Sequence, residues 1–128
     1  MLSSDIRLLI DEMIPEVAHS KLAVFCDIFT EAGVFDLDQS RRIMTAAKGH
    51  GLKLRFHAEE LKSIGGAELA AEMGAVSADH LVHVTDTGST DKTVQALKDC
   101  EAIVHHTIVS PWRFDVPIPE GCGTISLV

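Results

Sequence analysis

An α/β fold built on a parallel sheet with covering helices is what this sequence predicts, on three observations. Short apolar runs rich in β-branched and aromatic residues alternate with amphipathic segments as far as about residue 110. Glycines stand where the amphipathic segments stop. Successive strand-plus-helix units share a pattern but no sequence, so the repetition is architectural.

The elements follow in order. Ile6, Leu9, Ile10, Met13, Ile14 and Val17 recur at helical spacing, predicting a helix over 5–18 that Ser3 or Ser4 can cap. Pro15 lies inside that pattern and either kinks the helix or ends it near Ile14. Ala23 to Phe29 is a compact apolar run that reads as a strand buried on both faces. Asp36, with Gln39 three residues on, makes a capping-box start to a helix carrying Leu37, Ile43, Ala46 and Ala47, stopped by Gly49 and Gly51. Leu52 to His57 alternates into a second strand. Ile64 to Met73 is an Ala-rich helix opened by Gly65 and Gly66 and closed by Gly74, and Val76 to Val84 contains another short strand. A helix over Thr90–Lys98 and a strand over Ala102–Val109 complete the units.

Residues 1–110 thus form the β/α part. Residues 111–128 form a tail in which Pro111, Pro117 and Pro119 favour loops. A last strand is expected over Gly123–Val128, with no helix behind it. A parallel sheet buries both faces, so an ending of that kind reads as unfinished.

Composition narrows the function classes. The 128 residues carry a formal net charge of −8, with eleven basic side chains scattered among nineteen acidic ones. A nucleic-acid partner is therefore not expected, since a phosphate backbone needs clustered Lys and Arg. No apolar run approaches the roughly 20 residues of a membrane span, and no basic stretch feeds an apolar leader, so a cytoplasmic location and no membrane partner are expected. Cys26, Cys100 and Cys122 are widely spaced and odd in number, which predicts reduced, buried thiols and no thiolate metal site. Met13, Met44 and Met73 fall on apolar helix faces and are expected in the core. Trp112 and Phe114 are expected to pack under the tail. Asp86-Thr87-Gly88-Ser89-Thr90 lacks the lysine of a phosphate loop and reads as a helix cap.

The chemistry concentrates in two strands. In Leu54-Arg55-Phe56-His57-Ala58-Glu59-Glu60, His57 falls at the carboxyl end of a predicted parallel strand, with Glu60 in the loop above it. Strand carboxyl ends are where β/α barrels place catalytic side chains. Ala78-Asp79-His80-Leu81-Val82-His83 supplies His80 at the corresponding end of the next strand, with His83 in the loop. If the strands are parallel neighbours, His57 and His80 face one ligand; the plainer alternative is a polar residue satisfied at each strand end.

Asp11-Glu12-Met13-Ile14-Pro15, Gly33-Val34-Phe35, Gln39-Ser40-Arg41-Arg42-Ile43 and Phe56-His57-Ala58-Glu59-Glu60 follow one another along the chain. In that order they resemble the imidazolonepropionase family of metal-dependent amidohydrolases. The run Gly65-Gly66-Ala67-Glu68-Leu69-Ala70-Ala71-Glu72-Met73-Gly74-Ala75, leading into Ser77-Ala78-Asp79-His80-Leu81, is the most specific. The resemblance implies roughly the second half of a (β/α)8 barrel, a fold that takes about 250 residues when complete. It also implies one zinc or iron ion and hydrolysis of the ring amide of 4-imidazolone-5-propanoate to N-formimino-L-glutamate. On the same footing, His57 looks like the metal ligand of the fifth barrel strand. Glu60 looks like the carboxylate that contacts the imidazolone ring, and His80 like the sixth-strand histidine that polarises substrate or handles protons.

The sequence departs from the family in places. Glu59 stands where the family usually has Asp. The family's His-x-His pair from the first strand has no counterpart, and His105-His106 cannot replace it, because neighbours on a strand point to opposite faces. The last metal-binding Asp, expected after the eighth strand, is absent. One protein ligand of four remains, so the isolated chain is expected to be inactive. A homo-oligomer, acting as a structural or interaction module, is the alternative. From about Ser89 the resemblance fades, and Trp112 to Gly123 differs from the family.

Overall fold

The computed structural model describes residues 2–83 and the strand at 103–105. The expected helix at 90–98 and the tail at 111–128, with Cys100, Cys122, Trp112 and Phe114, lie outside the described residues.

The chain opens with α1 (Ser3–Leu8), a π-helical turn (Leu9–Met13) and α2 (Ile14–Ser20), which run on without a break. Pro15 therefore does not end the helix. A proline ring presses on the carbonyl four residues back, here that of Asp11. The wider turn relieves that clash: the Ile14 N–H donates to the Leu9 carbonyl, and Pro15 then sits in the first turn of α2. Lys21, at φ +56°, closes the run. Ser3 and Ser4 are not the caps; Leu2 holds that position, with no side-chain hydrogen bond. Ile6 and Ile14 are buried, but Met13 is 50% exposed and leaves the core to Met44 and Met73.

Strand β1 (Phe25–Thr30) leads to α3 (Leu37–Gly49), β2 (Lys53–Ala58), α4 (Gly66–Glu72), β3 (Ser77–His80) and β4 (Ile103–His105). The sheet runs β1-β2-β3-β4, and every pair is parallel. The α3 capping box forms as its sequence predicts. The Gln39 N–H donates to Asp36 Oδ1 at 2.8 Å, and the Asp36 N–H donates to Gln39 Oε1 at 3.1 Å.

Strand β1 is buried on one face rather than two. Ile28 and Thr30 are covered, whereas Phe25 and Asp27 are exposed. The strand stands at the edge of the described sheet, and a charged residue on its second face suits an open side.

Helix α4 seats on the sheet through Gly66. A Cβ there would lie 2.8 Å from the Ala58 Cβ and 3.2 Å from Thr30 Cγ2, so a residue with no side chain is required. Leu54, Phe56 and Ala58 of β2, with Ile28 and Ala78 from its neighbours, pack with Ile43, Met44 and Ala47 of α3 and Ala67, Leu69, Ala70 and Ala71 of α4 in one core. No helix among the described residues is long and apolar enough to cross a membrane.

Candidate active site at the carboxyl edge of the sheet

Strand alternation sorts β1 to β3 into two unlike faces. The register pairs Asp27 with Arg55, Arg55 with Ser77, and His57 with Asp79. These polar residues therefore share the face opposite Ile28, Phe56 and Ala78. Arg55 Nε donates to Ser77 Oγ at 3.2 Å, and its guanidinium lies 3.8 Å from Asp79 Oδ2.

His57 sits one residue from the carboxyl end of β2, with Nε2 3.0 Å from Asp27 Oδ2. That hydrogen bond raises the pKa of His57, against the opposing effect of partial burial. Cys26, next along β1, is a half-buried free thiol whose pKa is raised by burial and then by the charge of Asp27. Both effects disfavour the thiolate.

His80 ends β3, in register with Ala58. Strict alternation would send its side chain to the helix-covered face with Ala58. The backbone leaves the extended region here, with φ +76° at His80 and +52° at Leu81. The His80 ring instead lies against that of His57, with centroids 5.1 Å apart and planes tilted by 40°. His80 Nε2 is 3.7 Å from Glu60 Oε2, and its Nδ1 is buried with no hydrogen-bond partner among the described residues. His83 follows in the turn, its N–H donating to the Glu59 carbonyl at 2.8 Å. Glu59, at φ +55°, is the third non-glycine residue in the left-handed region at this edge. Such residues persist only where their surroundings hold them, and they gather at functional sites.

The structure thus brings together His57, His80 and Glu60. It adds Asp27 and Asp79, which no motif in the sequence singles out. Asp27 was visible as the one charge inside the apolar run of β1. Asp79 carried no signal beyond its place before His80.

As a metal centre the described residues are incomplete. They contain no group of three His, Cys, Asp or Glu able to hold an ion, whereas a catalytic zinc normally has about three protein ligands. A cavity of about 920 Å³ lies elsewhere, lined by Asp11, Glu12, Glu16, His19, Lys21 and His50 among others. His50 lies three residues before the first residue of β2, which places this cavity toward the amino end of the sheet, away from the histidine pair.

A parallel α/β sheet that gathers ionisable side chains on its carboxyl edge has the architecture of an α/β enzyme. No profile of a known protein family matches the chain. Individual relatives do. The chain is 47% identical to imidazolonepropionase from Porphyromonas gingivalis over 122 residues, covering 92% of this chain and 28% of the relative. Against the Clostridium tetani imidazolonepropionase it is 48% identical over 98 residues, or 77% of this chain and 22% of the relative. Against that of Geobacillus kaustophilus it is 57% identical over 83 residues, or 65% and 20%. Over most of its length the chain is similar to imidazolonepropionases, and it spans about a quarter of the length of the curated relatives it matches. A match to 92% of the chain runs well beyond Ser89, so similarity to the Porphyromonas protein continues past the point where the resemblance was expected to fade.

Proposed function

We propose that this chain supplies the His57, Glu60 and His80 rim of an imidazolonepropionase active site, which hydrolyses the ring amide of 4-imidazolone-5-propanoate to N-formimino-L-glutamate. The observation that carries the reading is the meeting of the two imidazoles, 5.1 Å apart, with Glu60 beside them on the carboxyl edge. Residues 1–110 are read as β/α units forming roughly the second half of a (β/α)8 barrel, with 111–128 as a tail. The consecutive strand order and the polar face of the sheet support this, since a barrel turns one face toward its axis. A cytoplasmic location accords with a small-molecule substrate.

In this reading Glu60 binds and orients the imidazolone ring. His80 holds or delivers a proton at the substrate, beside Glu60. His57 is a single ligand of a zinc or iron ion whose other ligands come from outside the described residues. A divalent ion supplies Lewis-acid polarisation and a lowered water pKa. Asp27, 3.0 Å from His57 Nε2, orients that ring.

The test is a chimera in which this chain replaces the matching segment of the Porphyromonas enzyme. Turnover is expected, and His57→Ala is expected to remove it. A folded chimera with no turnover would contradict the proposal. The chain by itself, with added zinc or iron, is expected to show no turnover above a metal-only control.

One observation favours a second reading, self-association into a non-catalytic module. β1 ends the described sheet on one side, and Leu22, Val24 and Phe25 are exposed at its start. Unpaired strand edges invite pairing with another chain. Sedimentation decides: a concentration-dependent dimer supports this reading, and a monomer at micromolar concentration removes it.

A further inference from the structure

Two buried carboxylates have no part in the chemistry above. Glu31, just after β1, is 0% exposed, and Glu59, just after β2, is 1% exposed. Carboxylates so enclosed must be satisfied by donors, and here those donors are backbone amides. Glu59 Oε1 accepts the N–H of Gly65 at 2.8 Å and that of Ala67 at 3.4 Å, while Oε2 accepts the N–H of Ile64 at 3.1 Å. Glu31 Oε1 accepts its neighbour Ala32 N–H at 2.9 Å, and Oε2 reaches across to accept the Leu61 N–H at 3.0 Å.

Four of these five amides lie in the connection from β2 to α4 and the first turn of that helix. Glu60 stands inside the same connection, between a residue held at φ +55° and one whose amide is bonded to Glu31. Its only free choice is its side-chain rotamer. The Glu59 bonds curl the chain back from the strand end, and the Glu31 bond ties that curl to the neighbouring β1 end. Together they bring Glu60 to 3.7 Å from His80.

We propose that Glu31 and Glu59 are positioning residues, a pair of buried carboxylates that clamp the β2–α4 connection and so fix Glu60 against His80. The meaning of the clamp for catalysis rests on the role proposed for Glu60. Its geometry does not, and the test reads geometry without turnover.

The experiment uses the full chain, with amide exchange and side-chain resonances followed by nuclear magnetic resonance. Glu31→Asp keeps a carboxylate beside Ala32 but withdraws it from Leu61. Glu59→Gln puts a donor against at least one of Ile64, Gly65 and Ala67. Loss of a hydrogen bond to a charged acceptor is expected to lower protection of the affected amide by about tenfold or more. In both variants the His80 ring signals are expected to move toward the position they take in Glu60→Gln, which removes the facing charge outright. Ala71→Gly, which loosens α4 without touching the clamp, is expected to leave His80 unmoved.

Unchanged amide protection overturns the proposal. So do lost protection with His80 at its wild-type position, and an equal His80 shift in Ala71→Gly. If Glu59→Gln does not fold, Glu31→Asp, which breaks one contact, decides alone. None of these failures touches the hydrolase reading, which the chimera tests separately.

Discussion

The two faces of β2 differ as much as two proteins might. On one, Leu54, Phe56 and Ala58 are sealed under α3 and α4, with Gly66 shaved to fit. On the other, Arg55 and His57 lie among Asp27, Ser77 and Asp79. Alternation along a single strand divides the labour: odd positions carry charge and even positions carry stability. Substitutions on one face should therefore be felt in folding and those on the other in chemistry.

The largest effect expected is on the covered face. Phe56 is fully buried, and Phe56→Ala should cost about 3–5 kcal/mol in urea unfolding. His57→Ala, one residue on, should cost less than about 1 kcal/mol while removing turnover in the chimera. Equal destabilisation by the two would erase the contrast between the faces. Gly66→Ala comes next. Its Cβ would press on the Ala58 Cβ, and overpacking of this kind costs about 1–3 kcal/mol. A neutral result would mean that α4 can slide off the sheet freely.

The smallest effect sharpens the open face. Asp27 holds the pKa of His57 above its ordinary value. A group whose folded pKa is raised contributes stability that is fully present below the unfolded pKa and is lost as pH rises through the folded pKa. Asp27→Asn should lower the His57 titration midpoint. It should also reduce the urea midpoint more on the acid side of the histidine range than on the alkaline side. A uniform loss at all pH values would show that Asp27 acts through packing and not through the imidazole.

Local features were legible in the sequence, and long-range ones were not. The Asp36 and Gln39 capping box joins residues three apart and formed as expected, and the parallel sheet followed from the alternation of strand and helix. The place of His57 at a strand end was legible for the same reason. The partner of His57 was not, because Asp27 is 30 residues away and reaches it only through the β1–β2 register. The His80 ring was harder still, since its direction depends on a left-handed backbone that no spacing rule foretells. The reach of Glu31 to Leu61 was hidden likewise. The course of the first helix past Pro15 turned on a single widened turn, an adjustment a proline pattern does not disclose.

The proposed function requires an imidazolone to be held at the carboxyl edge. Titration of the full chain with imidazole-4-propanoate, an unreactive analogue of the proposed substrate, tests this while His57, His80, His19 and His50 are followed by nuclear magnetic resonance. Shifts confined to His57 and His80, and abolished by Glu60→Ala, are the predicted result. Shifts centred on His19 and His50 at the opposite end, or none at the histidine pair, would contradict it.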